Sequence, residues 1–197
     1  RMAELENEKN GYVNENGLMT SRINDFEFYK FENDLILIRK EIVGYGITEG
    51  NYTYGIINSK GNFLTPCVLS YLDEFSEDMA AIGVFKASTT VNPDFRTDAK
   101  HTEYGYINRS GKIVIDAEYG HAYKFLNDVA CVDENITLGY EYDDQIGSYT
   151  LINKVGYKYS IYSNDPIDFN GNYALVSHGK KETMRGIARG KYGLINN

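Results

Sequence analysis

The stretch YGYINRSGKIVIDAEY, Tyr104 to Tyr119, is written more than once in this chain. The same frame appears earlier as YGIINSKGNFLTPCVL from Tyr54, and again at the end as KYGLINN. Asn14, Asn58, Asn108, Asn153 and Asn196 recur every 43 to 50 residues, and glycine stands three positions after each of the first four, at Gly17, Gly61, Gly111 and Gly156. Asparagine at the first position of a type I turn accepts hydrogen bonds from the backbone just ahead, and a left-handed glycine then suits the twist of two antiparallel strands. Asn58 with Gly61, Asn108 with Gly111 and Asn153 with Gly156 are therefore read as hairpin turns. Tyr104–Ile107 before the turn and Lys112–Ile115 after it are rich in strand formers.

A second phrase recurs with the first. Phe31, Phe75, Phe125 and Phe169 open FENDLILI, FSEDMAAI, FLNDVACV and FNGNYALV. Aligned positions are apolar or small: Ile36, Ala80, Ala130 and Ala174, then Leu37, Ala81, Cys131 and Leu175, then Ile38, Ile82, Val132 and Val176. Apolar residues on both parities predict strands buried on both faces. The predicted unit is a three-stranded antiparallel meander of post-Phe strand, Tyr-Gly strand and post-turn strand. A crossover such as Asp116–Lys124 carries the chain to the next meander.

Repetition on this scale predicts an all-β array with four units and a fifth begun. After an N-terminal tail over 1–10, one domain spans 11–197, with units starting near 11, 54, 104, 149 and 192. The expected architecture is an open, solenoid-like stack; a partial or closed β-propeller is the alternative. Length varies between each post-Phe strand and the next Tyr-Gly strand. Loops are expected there over Lys86–Glu103, Glu141–Ser148 and His178–Gly190.

The Tyr-Gly-x-Ile-Asn-x-x-Gly phrase, with its following Phe strand, resembles the WG (or KWG) repeat of bacterial proteins. Tyr54, Tyr104, Tyr149 and Tyr192 stand at that family's tryptophan, and Asn10 in the first unit. Gly11, Gly55, Gly105 and Gly193 match its glycine, while Thr150 departs from it. The resemblance covers residues 11 to 197 and implies a β-repeat array without a shared catalytic motif.

Composition narrows the function classes. The chain has 197 residues, 18 Tyr, 9 Phe, no Trp and a net charge of −8. That balance disfavours general binding to nucleic acid or anionic membrane, and no apolar run reaches the roughly 20 residues of a membrane span. Arg1 ahead of Met2 reads as a tag remnant or an excised piece; a native start at Met2 implies the cytoplasm, a removed leader export. Cys67 and Cys131 occupy different repeat positions and read as free thiols, Cys131 as core.

His101, His121 and His178 lack metal-ligand spacing and read as surface residues. No nucleophile elbow, P-loop or zinc motif occurs, and no cofactor is implied. Gly44-Tyr45-Gly46 with Gly50 misses the dinucleotide fingerprint, and Asp133–Leu138 lacks the glycine of a calcium loop. Asp143-Asp144 reads as a solvated loop tip.

Two features bear on binding. Tyr140 with Tyr142, and Tyr157 with Tyr159, share a strand parity, so each pair is expected on one sheet face. There they would stack on a sugar or pack across strands. Lys180, Lys181, Arg185 and Arg189 form a local basic run, an acidic-partner site or a solvated loop. The expected function is a non-enzymatic module that binds another protein or macromolecule through loops and array surface. A carbohydrate-binding module using exposed tyrosines is the alternative.

Overall fold

The structure is a computed structural model that describes residues 2–3, 11–12, 26–42, 52–87, 100–135, 148–163, 166–167, 169–170, 173–178 and 191–196. Among them every regular element is a β-strand. In chain order these are β1 (Met2–Ala3), β2 (Gly11–Tyr12), β3 (Glu27–Glu32), β4 (Leu35–Glu41), β5 (Tyr52–Asn58) and β6 (Phe63–Leu69). Next come β7 (Tyr71–Leu72), β8 (Met79–Ala87), β9 (Lys100–Asn108), β10 (Ile113–Tyr119), β11 (His121–Ala122) and β12 (Val129–Asp133). The chain finishes with β13 (Tyr149–Asn153), β14 (Lys158–Ser163), β15 (Phe169–Asn170), β16 (Tyr173–His178) and β17 (Lys191–Asn196).

They form small antiparallel sheets: a pair β1-β2, a first full sheet β3-β4-β5-β6, a second β7-β8-β9-β10, a third β11-β12-β13-β14, and a last sheet β15-β16-β17. None closes into a barrel. The fold is an all-β repeat array, as the recurring phrases predict. Met2–Ala3, within the segment read as a tail, pairs with Gly11–Tyr12.

The expected turns form by the expected means. Gly61, Gly111 and Gly156 have φ of 82°, 81° and 81°. Asn58 Oδ1 accepts from the N–H of Lys60 and Asn62, each at 3.0 Å, and the Asn108 and Asn153 side chains repeat the pattern. Such a side chain replaces water as the acceptor for backbone donors that the tight reversal leaves unpaired.

A second turn was hidden in the Phe phrases. Glu77 and Asp78 have φ of 51° and 67°, Asn127 and Asp128 of 54° and 64°, and Asn33 of 56°. Positive φ at both central residues marks a type I′ turn. Here it folds a short strand back onto the post-Phe strand, with the Ser76 and Met79 N–H groups each bonded to the other's carbonyl.

The three-stranded meander is thus corrected to four strands. Asp116–Lys124 is no free crossover: β10 runs on to Tyr119, bends at Gly120 and re-pairs at once as β11 with β12. Each such segment closes one sheet and opens the next. The expected Lys86–Glu103 loop is also shorter, because β8 and β9 stay paired out to Ala87 and Lys100.

Packing follows strand parity. Leu35, Leu37 and Ile56 pack with Leu69 at the end of β6 and with Leu72, Ala80, Ile82 and Ile107 of the next sheet. Met79, Ala81 and Tyr106, on the opposite parity of the second sheet, face Tyr119, Ala122, Phe125, Ala130, Val132 and Ile152. Cys131 and Leu151 then face Ile167, Ala174 and Val176. Every internal sheet is therefore covered on both faces, each buried aliphatic side chain contributing about 1.5–3 kcal/mol. Leu175 breaks the expectation of two-sided burial. It is 55% exposed, while its counterparts Leu37, Ala81 and Cys131 are buried.

Candidate functional site

Each sheet has two unlike ends. At one end lie the Asn-x-x-Gly turns and the acidic two-residue turns, since Leu35 pairs with Asn58 and Met79 with Asn108. From the other end spring the variable connections, after Glu41 paired with Tyr52, Ala87 with Lys100, Asp133 with Tyr149, and His178 with Lys191. The strand order makes this segregation unavoidable, because every long connection joins the same two strands of its unit.

The turn end is stapled by charge. The Glu77 carboxylate accepts from the N–H of Asn127 at 2.6 Å and of Asp128 at 2.9 Å, in the following unit. Lys154 lies 3.2 Å from Glu77 and 2.7 Å from Asp128. Burial alone would raise the Glu77 pKa, but the Asp128 and Asn127 N–H groups and the Lys154 ammonium hold it below the usual range. One unit earlier, Arg109 pairs with Asp78 at 3.0 Å, approaches Asp34 at 4.0 Å and stacks over Phe75 at 4.9 Å. At Arg109 and Lys154, though not at Ser59, the first residue after the turn asparagine thus carries a cation that reaches acids of its own and the preceding unit. This end holds units together.

Toward the other end runs a row of half-buried rings. Tyr71 meets Tyr104 at 5.6 Å between centroids, Tyr104 meets His121 at 4.9 Å, His121 meets Tyr123 at 4.7 Å, and Tyr123 meets Tyr149 at 6.3 Å. Burial raises the Tyr104, Tyr123 and Tyr149 phenols, Tyr149 to about 12, so all stay protonated near neutrality. Burial also lowers the His121 pKa, against the opposing pull of Asp133 and Asp73.

His121 is consequently not the surface residue expected from the sequence, and the His101 side chain is only 13% exposed, its Nε2 3.0 Å from Glu103. Sequence reading missed the row because Tyr71, His121 and Tyr123 fall in the segment taken for a crossover. The repeat position that Tyr71 shares with His121 was the available signal.

Tyr157 and Tyr159 do touch, their rings 5.7 Å apart and nearly perpendicular at 88°. Tyr157 is 64% exposed and its N–H is held by Asn153 Oδ1, whereas Tyr159 packs into the cluster between the third and last sheets. Tyr140, Tyr142, Asp143-Asp144 and the glycines 44, 46 and 50 lie outside the described residues, as do Lys180, Lys181, Arg185 and Arg189. Neither Cys67 nor Cys131 is in a disulfide; burial pushes Cys67 up to about 11, far from thiolate reactivity at neutral pH, and the Cys131 sulfur accepts from the Ile167 N–H at 3.2 Å.

A cleft of about 290 Å³ opens between the third and last sheets, lined by Tyr123, Lys124, Leu126, Val129, Cys131, Pro166, Ile167 and Phe169. Its lining is mainly apolar, with the exposed Lys124 contributing a cation. The stretch from Asn153 to Phe169 is one residue shorter than its equivalents, and Phe169 is half-buried where Phe125 is fully buried. Among the described residues no helix is long and apolar enough to cross a membrane.

Comparison with curated proteins and with solved structures gives no match. Comparison with protein families matches the WG containing repeat twice, over residues 54–83 and 104–135. Both segments begin on a Tyr-Gly strand and end in or just beyond the next unit's post-Phe strand, so the sequence repeat straddles two sheets. Two consecutive stretches of this β-array are therefore similar to the WG containing repeat.

Proposed function

We propose that the chain is a non-enzymatic binding module that recognises another protein through the connections at one end of its array. The observation carrying this reading is the segregation of ends. The Asn-x-x-Gly and acidic turns are tied to one another by short polar contacts, while the connections that differ in length and composition leave from the opposite end. A repeat scaffold holding variable loops at one end is suited to recognition, because the sheets fix the loop bases while the loops change. The half-buried Tyr71–Tyr149 row adds protonated hydroxyls and ring edges toward that end.

The test replaces residues 88–99 and 179–190 with Gly/Ser segments of equal length and compares affinity capture with that of the intact chain. Loss of partners in the replaced chain, with an unchanged far-ultraviolet spectrum, is the expected outcome. Retention of every partner would overturn the reading. A carbohydrate-binding role is favoured by one observation, the exposed Tyr157 ring beside Tyr159. It predicts glycan-array signals that disappear in Tyr157→Ala.

A further inference from the structure

The segment that opens each unit is bonded to the sheet before it, except at one interface. At the first interface the Glu32 carboxylate accepts from the Phe75 N–H at 3.0 Å. At the second, the Ser76 hydroxyl donates to the Phe125 carbonyl at 2.6 Å, and the Tyr106 hydroxyl donates to the Tyr123 carbonyl at 2.6 Å. The third sheet carries Leu126 at the repeat position of Glu32 and Ser76, and Leu151 at that of Tyr106. Neither leucine side chain can donate or accept.

The opening segment of the last unit shows the consequence. Asp73 and Tyr123 each donate their N–H to the post-Phe strand of their own sheet, at Ala81 and Cys131. Ile167, equally placed relative to its Phe, donates instead to the Cys131 sulfur of the preceding sheet. Phe169 is left half-buried, while Phe125 is wholly buried against the Tyr106 ring, 4.8 Å between centroids. The cleft of about 290 Å³ opens at this interface, with described strands on both sides of it.

Its lining suits one kind of ligand. Leu126, Val129, Ile167 and Phe169 make apolar walls, and Lys124 is the one charged residue among the described lining residues. Lys124 stands where the second unit has Glu74. The Glu74 carboxylate lies within electrostatic reach of Lys124 but is itself paired with Lys30. Small-molecule sites run from about 300 to 1,000 Å³ and join apolar walls to a few polar groups, so a space of this size takes a body of one or two rings. Apolar walls also reject a second charge, which would have no partner there.

We propose that the cleft binds a small monocarboxylate with a compact aromatic body, its rings between Leu126, Val129 and Phe169 and its carboxylate at the Lys124 ammonium. The site adjoins the Asn127-Asp128 turn, at the end opposite the variable connections. The inference therefore goes beyond recognition by the loop end and does not depend on it.

Calorimetric titration of the full chain with 2-naphthoate tests it. One saturable site per chain is expected. Binding of 2-naphthamide, which has the same rings without the charge, and binding of 2-naphthoate to Lys124→Gln should each be weaker by about fivefold, the scale of one exposed ion pair. Leu126→Trp fills the cleft from its wall and should weaken both ligands by about tenfold or more, with an unchanged far-ultraviolet spectrum. Lys124→Gln alters an exposed side chain, so that comparison decides even if Leu126→Trp does not fold. The chain with its 88–99 and 179–190 connections replaced should bind 2-naphthoate as the parent does, which separates this test from that of the loop end. Absence of saturable binding, equal affinity for the two ligands, or binding unchanged in either folded variant would overturn the proposal. So would loss of binding in the chain with replaced connections, since the ligand would then sit at the loop end.

Discussion

The outer face of the last sheet and the corresponding face of the second sheet share one pattern of side chains and have opposite surroundings. Met79, Ala81 and Tyr106 are sealed beneath Tyr119, Ala122 and Phe125; Tyr173, Leu175 and Leu194 face outward. The difference teaches that no unit of this array makes its own core. A sheet contributes two apolar faces, and burial arrives only with the neighbour whose first strands grow out of its last one.

Substitution at equivalent positions should expose that asymmetry most strongly. Leu37→Ala removes a fully buried side chain and should lower stability by about 3–4 kcal/mol. Leu175→Ala, at the same repeat position, should change it by under about 0.5 kcal/mol. Urea denaturation of the pair checks this, and equal losses would break the comparison. The glycines sharpen it further. Gly105→Ala pushes a methyl group into the backbone of β10 and should cost about 3 kcal/mol, whereas Gly193→Ala should be neutral or slightly stabilising. Thermal unfolding of both variants distinguishes the two.

A smaller effect is expected at the second interface. The Tyr106 hydroxyl donates to the Tyr123 carbonyl at 2.6 Å across it. Tyr106→Phe leaves that carbonyl without its partner and should cost about 2 kcal/mol, a loss measurable as a shifted denaturation midpoint at unchanged slope.

The smallest effect is at the turn end. Glu77→Gln keeps the shape of the staple but removes its charge and should cost about 1 kcal/mol at low salt, less at high salt. The Glu77 pKa is lower in the folded chain, so its contribution is fully present above the ordinary carboxylate pKa and fades as pH falls through the folded value. His121 acts in the same direction over a higher range: its lowered pKa means stability declines as pH falls below about 6.5, the ordinary histidine value. A pH series of melting temperatures on the parent, Glu77→Gln and His121→Gln separates the two slopes.

The Asn-x-x-Gly turns were legible because a side-chain acceptor and a left-handed glycine act within a few residues. The acidic turns at Asn33, Glu77-Asp78 and Asn127-Asp128 were less so, because left-handed Glu and Asp are uncommon and only the fold enforces them. The short strands Tyr71–Leu72 and His121–Ala122 were read as linker, two residues being too few to show a period. With them went the ring row and the buried setting of His121, since which rings meet depends on how one sheet lies over the next.

The sequence by itself determined the strand pattern, the repeat frame and the end of each unit from which the variable connections leave. These follow from local chemistry, namely turn residues and alternating apolar side chains. Only the tertiary structure decided that β10 passes from one sheet into the next, that Gly55 and Gly105 leave room for a crossing backbone, and that Leu175 lies open where Leu37 lies covered. Identical local patterns acquire different burial because burial belongs to the neighbour, and the neighbour is fixed by stacking.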